Sequence, residues 1–253
     1  TDKGAHYSPD NAYDFAFSPE TINLLKQNNF NFFNIANNHL ADQGEKGIKE
    51  TEKNLTDLKF NFSGCADSQT GECSSKIIKI KDKKISLVGL SMVYKELKAD
   101  DVKNILIKTA SSSDFIIVNI HWGKEYEHQF NKTQEQFAHL LIDAGANLII
   151  GHHPHVVQGM EIYKNKPIFY SLGNFIFDQY FSPDTQEGLA VAMDLSEEKI
   201  KFSLYPLKSK ISQPDLIINE EKEKFINKFI SWSKLDENIK SEIKNSSFSL
   251  NIE

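Results

Sequence analysis

The chain has 253 residues, 40% apolar and 25% charged. This balance excludes a disordered polymer, and no apolar run approaches the roughly 18 residues of a spanning helix. The formal charge is -6, from 35 acidic and 29 basic residues, and every basic residue is Lys; without the planar Arg fork that grips bases and phosphates, no nucleic-acid partner is expected.

A length of this order suits a single domain over 1–253 that needs no staple to hold its core. Residues 1–17 read as an irregular polar and aromatic leader. Ser18-Pro19-Glu20 then opens a helix, with Leu24 and Leu25 on its apolar side. A strand is expected over 30–36, a helix over 45–59 with Ile48, Leu55 and Leu58 at helical spacing, and a short strand at 61–62. Cys65 and Cys73 bracket a polar loop containing Gly71. They can close a small disulfide in an oxidising compartment or remain free thiols, but their spacing suits neither a metal site nor thiol exchange.

KIIKI and KKISLVGL read as a hairpin. A helix near 101–109, the strand DFIIVNI (114–120), a helix near 133–144 and the strand ANLIIG follow. This alternation over 18–166 indicates a largely parallel sheet covered by helices, an α/β protein. From Pro167 the rhythm changes to strands alone (PIFYSL, GLAVAMDL, KIKFSLYPL), a second sheet over 167–210. An amphipathic helix over 220–244 closes the chain, with Phe225, Phe229, Trp232, Leu235, Ile239 and Ile243 on one side. Such proteins usually begin with a central strand, whereas this one begins with a helix, so a segment ahead of Thr1 is expected.

Histidines gather where strands end. His39 lies in NIANNHLAD, His121 in VNIHWGKEY, and His152, His153 and His155 in LIIGHHPHV. Loops beyond the carboxyl ends of parallel strands converge, so three such ends predict one cluster. Asn38, His121, His153 and His155 form a credible ligand set for a divalent metal ion, with Pro154 stiffening the last pair and His39 left to move a proton. A bound ion can activate water against phosphorus or a carbonyl carbon. Trp122 stands beside His121 as a rigid neighbour. Asp42 is read either as a carboxylate orienting an imidazole or as a helix cap, Glu125 as an outer carboxylate or a solvated one, and Asn174 as a rim residue that holds the histidine loop. His6, His128 and His139 are read as uninvolved, with His139 facing water. Ser171 lacks the nucleophile elbow, and the glycines form no nucleotide cradle.

NNHLADQG (37–44), HWGKEY (121–126), LIDAGANLIIGHHPHVVQG (141–159) and IFYSLGNFIFDQ (168–179) together resemble the CapA family of bacterial poly-γ-glutamate capsule synthesis proteins, over about 17–195. The resemblance implies a calcineurin-like metallophosphoesterase fold, a four-layer α/β/β/α sandwich lacking its first strand here. It implies Asn38 as a ligand and His39 as the catalytic imidazole, with Asn37 in place of the usual glycine. His121, His153 and His155 would be further ligands to one or two ions of Mn, Zn or Fe. The family's opening Gly-Asp strand and Asn-x-Glu segment are not in this chain and would lie ahead of Thr1. The implied setting is outside the cytoplasm, anchored through that upstream segment. The implied partners are an anionic envelope polymer or a small phosphorylated substrate, and other capsule-synthesis membrane proteins. Two functions compete: a metal-dependent hydrolase, and a non-catalytic assembly or binding factor with a structural metal site.

Overall fold

A computed structural model describes residues 14–252; His6 and most of the leader lie outside the described residues. Among the described residues the chain forms two compact units, one up to residue 121 with 144–146, the other 122–143 with the chain from 147 onward.

In the first unit, α1 (Glu20–Gln27) leads into β1 (Phe32–Asn34), α2 (Gly44–Asp57) and β2 (Asn61–Ser63), with β1 and β2 parallel. Ile35, Leu55 and Phe60 are buried together, and Ile22, Phe33, Leu40, Leu58 and Phe62 pack around them. Each fully buried side chain of this kind contributes about 1.5–3 kcal/mol, which fixes the chain on both sides of the NNH loop. The expected hairpin is β3 (Ser75–Ile80) and β4 (Lys83–Ser91); α3 (Ala99–Ala110) then leads to β5 (Phe115–His121), parallel to β4. Val88 and Leu90 on β4, and Val118 and Ile120 on β5, are fully buried, so His121 sits at the end of a rigid strand.

Cys65 and Cys73 are disulfide-bonded, with Cα atoms 5.3 Å apart. The loop they close rests on the chain that carries the asparagines. Gly64 has φ +129°, and a Cβ there would fall 2.3 Å from the Ala36 nitrogen, so only glycine permits this approach. Asp67 lies inside the same loop. Its carboxylate accepts the Ser68 and Ser91 hydroxyls and the Val93 and Tyr94 amides. Burial alone would raise its pKa, but these four donors outweigh burial and hold it below the ordinary carboxylate value. A folded-state pKa below the unfolded one stabilises the protein above the unfolded pKa, and that contribution disappears as pH falls through the folded value. Asp67→Asn is therefore expected to lower stability to urea by about 2 kcal/mol at pH 7. The difference from wild type should shrink on acidification below pH ~4; a gap independent of pH would contradict the assignment.

In the second unit, α4 (Lys132–Asp143) is followed by β6 (Leu148–His152), β7 (Met160–Tyr163) and β8 (Lys166–Phe169). β8 pairs in parallel with β6 and antiparallel with β7. The PIFYSL strand thus does not begin a second sheet as the sequence suggests; it is half of a hairpin turned by Lys164 and Asn165, both at positive φ. The second sheet starts later, with β9 (Glu187–Leu195), β10 (Lys199–Lys210) and β11 (Gln213–Leu216). The long β10 pairs antiparallel with β9 along one edge, and with β11 and the last strand along the other.

The expected terminal helix is two, α5 (Asn219–Trp232) and α6 (Glu237–Ile243), followed by an unforeseen β12 (Ser247–Asn251). The break comes from Asp236, whose side chain accepts from the Ile239 amide and restarts the helix. Phe202 of β10, in contact with Phe248 of β12 and Phe169 of β8, is fully buried. Among the described residues no helix is long and apolar enough to cross a membrane.

Candidate metal centre

The first unit brings Asn37, Asn38, His39, Asp42 and His121 together. Asn37 Oδ1 accepts the His39 backbone N–H at 2.7 Å, closing a tight turn just past β1. The His39 Nδ1–H donates to Asp42 Oδ2 at 2.9 Å, and the Phe15 amide donates to the same oxygen. Asp42, 6% exposed, therefore orients His39 and does not cap α2. The Phe15 ring meets the imidazole edge-on, with centroids 4.7 Å apart.

With its δ nitrogen committed, His39 presents Nε2, which receives the Asn38 Nδ2–H at 3.1 Å. Asn38 Oδ1 consequently faces the other way, 3.0 Å from His121 Nε2. There the His121 Nε2–H donates to Asn38 Oδ1; only with the proton moved to Nδ1 do both atoms offer lone pairs to an ion. Their separation matches neighbouring donors on an ion with bonds of about 2.1 Å, which lie about 3 Å apart. The pair is thus a candidate for holding a divalent cation, with the His39 imidazole beside it.

The second unit brings Glu125, His153, His155 and Asn174 together through three loops laced by backbone hydrogen bonds. The Trp122 amide donates to His152 O at 3.0 Å and the Tyr126 amide to Pro154 O at 2.8 Å. The Leu172 amide reaches Gly151 O at 3.2 Å. Trp122 is fully buried and donates its indole N–H to Tyr170 O at 3.0 Å. It is a brace for these loops, not a substrate contact.

The ligand atoms of Glu125, His153 and His155 lie within 4.8 Å of one another. Two imidazoles and a carboxylate are a donor set for zinc, iron or manganese. Asn174 fixes one imidazole. Its Nδ2 donates to Gln179 Oε1 and Thr185 O, so its Oδ1 must accept, and it does so from His155 Nδ1–H at 2.9 Å. His155 Nε2 is thereby left with a lone pair, 3.9 Å from Glu125 Oε1.

His153 and His155 both have positive φ, 98° and 59°. Side chains with a Cβ rarely adopt this backbone, which costs about 1–3 kcal/mol per residue and clusters at working sites. His152, the last residue of β6, has its pKa pushed by burial down to about 4, so it is neutral at pH 7.

Glu125, left undecided by the sequence, sits with the two histidines. Sequence reasoning missed the aromatic walls of His155, namely Tyr126 and Phe177, with ring centroids 6.1 and 5.1 Å away. It also misplaced one histidine. His139 does not face water: it lies 3.1 Å from Glu161 Oε1 and stacks on Tyr163. His128 donates to Val157 O and stacks on Trp232. Their partners are far away in sequence, where helical periodicity gives no signal.

Residues 1–179 match the family described as "Bacterial capsule synthesis protein PGA_cap". The chain is 32% identical over 195 residues to "Capsule biosynthesis protein CapA" of Bacillus anthracis, covering 70% of this chain and 47% of that one. It is 36% identical over 175 residues to "PGA biosynthesis protein CapA" of Bacillus subtilis, covering 63% and 46%. It thus spans about half the length of these curated relatives. Among solved structures, a hypothetical protein from Thermus thermophilus is similar with a TM-score of 0.45 and 12% identity, over 78% of this chain and 77% of that one.

Proposed function

The chain belongs to the bacterial capsule synthesis protein PGA_cap family, and from that premise we propose that it is a metal-dependent hydrolase of capsule synthesis. Its substrate class is a phosphoester or a related bond of an anionic envelope polymer. The single observation that carries this reading is the Glu125, His153 and His155 set, donors within 4.8 Å with both imidazoles on a strained backbone. A ligand set that must converge on one ion gives these two backbone conformations a use.

A divalent ion held there, or by Asn38 and His121, supplies Lewis-acid activation of water and neutralises charge on the attacked group. The chain's own residues do the rest. Asp42 holds His39 in the Nδ1–H tautomer, so that Nε2 is the atom that takes up or releases a proton. Asn174 keeps the His155 Nε2 lone pair directed away from its own amide. The Cys65–Cys73 bridge supports a setting outside the reducing cytoplasm, in keeping with an envelope role.

The test is metal analysis of the purified chain together with hydrolysis of a generic phosphodiester and of a poly-γ-glutamyl polymer. Wild type should carry manganese, zinc or iron and cleave one of the two. Asn174→Ala should weaken metal affinity about 10–100-fold. A chain that takes up no divalent ion, or that loads fully yet cleaves neither substrate, would return the reading to a binding or assembly factor.

A further inference from the structure

α4 and β7 hold another set of ligand-type side chains that the loops above do not use. Glu135 and His139 are four residues apart on α4 and so share a face. Glu161 projects from β7, and the ligand atoms of the three lie within 4.8 Å of one another. The Glu161 side chain is only 9% exposed.

Its two oxygens have different partners. Oε2 accepts the Tyr170 hydroxyl at 2.8 Å, while Oε1 accepts the His139 Nε2–H at 3.1 Å, a proton that moves to Nδ1 when the ring ligates an ion. Tyr170 thus does for this carboxylate what outer hydrogen bonds do for ligands generally, fixing one oxygen and aiming the other. The His139 ring is held flat against Tyr163, centroids 3.7 Å apart, which sets the direction of Nε2. Glu135 is paired with the Lys234 ammonium. Lys234 is anchored by its backbone, its N–H donating to Met160 O at 2.7 Å, but its side chain is 62% exposed and able to swing aside.

We propose that Glu135, His139 and Glu161 bind a zinc-class divalent cation, and that Lys234 is the side chain such an ion displaces from Glu135. One imidazole and two carboxylates make a three-ligand set for zinc or cobalt rather than for magnesium or calcium, which take oxygen alone. The spread of at most 4.8 Å is within about 1.5 Å of the donor spacing of about 3.3 Å around such an ion. The bound ion would tie α4 to β7. This site shares no residue with the proposed hydrolytic centre and stands without it.

The experiment uses the full chain carrying His153→Ala and His155→Ala, so that the loop donors are gone. Zinc is titrated against a competing chelator, and cobalt(II) absorption reports the ligand geometry. Adding His139→Gln should lower the zinc stoichiometry by one and abolish the cobalt spectrum of that site. Lys234→Met should instead tighten zinc binding about threefold, because a competing cation of an exposed ion pair has been removed. Circular dichroism checks folding; if His139→Gln does not fold, Glu135→Gln replaces it with the same expectation. A background that binds no zinc, a stoichiometry unmoved by the ligand substitution, or an affinity unmoved by Lys234→Met would overturn the site.

Discussion

His39→Gln is expected to slow phosphodiester hydrolysis by about 10²–10⁴-fold while leaving the bound-metal content unchanged. On the proposed function the imidazole carries the proton. Its Nδ1–H is committed to Asp42, which is buried and further tied by the Phe15 amide, so the ring has one tautomer and little freedom to turn. Glutamine can reproduce the polarity but has no proton to exchange near neutral pH. Asp42→Asn should act through the same ring, releasing its tautomer and lowering the rate by about 10–100-fold. Steady-state kinetics with parallel metal analysis reads both variants. Wild-type turnover in His39→Gln would remove this residue from the chemistry, and a loss of metal would make it a ligand instead.

Gly151→Ala should cost about 3 kcal/mol or more, seen as an earlier urea midpoint with an unchanged slope. Gly151 is the last residue before the histidines of the GHHPH loop. A Cβ there would stand 2.0 Å from Tyr170 O and 2.6 Å from Trp122 Nε1. Neither can retreat cheaply, because the two are hydrogen-bonded to each other and Trp122 is fully buried. The added methyl therefore separates β6 from the Tyr170 backbone and breaks the indole hydrogen bond. Metal affinity should fall with stability, since His153 and His155 follow directly. A variant as stable as wild type would mean that the strand end is far softer than this packing implies.

Much of this was legible beforehand because apolar strands end abruptly at polar loops. DFIIVNI runs into His121 and LIIG into His152, and the strands end within a residue or two of where their composition places them. The four motifs carried the family in the same way. What stayed hidden depends on partners or on single caps. The β7–β8 hairpin has no Gly in its turn; Asn165 was the one hint that a left-handed residue is tolerated there. The spacing from Phe225 to Ile243 stays in helical phase across the break at 233–236, so periodicity joined two helices that Asp236 separates. The hydrogen bond between His155 and Asn174 spans 19 residues, and Glu125 reaches the histidines through loops stitched at Pro154. Neither leaves a trace in local pattern.

The left-handed backbone at His153 and His155 also shapes how this protein could be improved or eroded. Glycine or asparagine at either position would relax the loop, so selection for heat resistance alone should favour just those replacements, each discarding an imidazole. If the pair are ligands as proposed, a lineage that keeps both histidines retains them against that pressure.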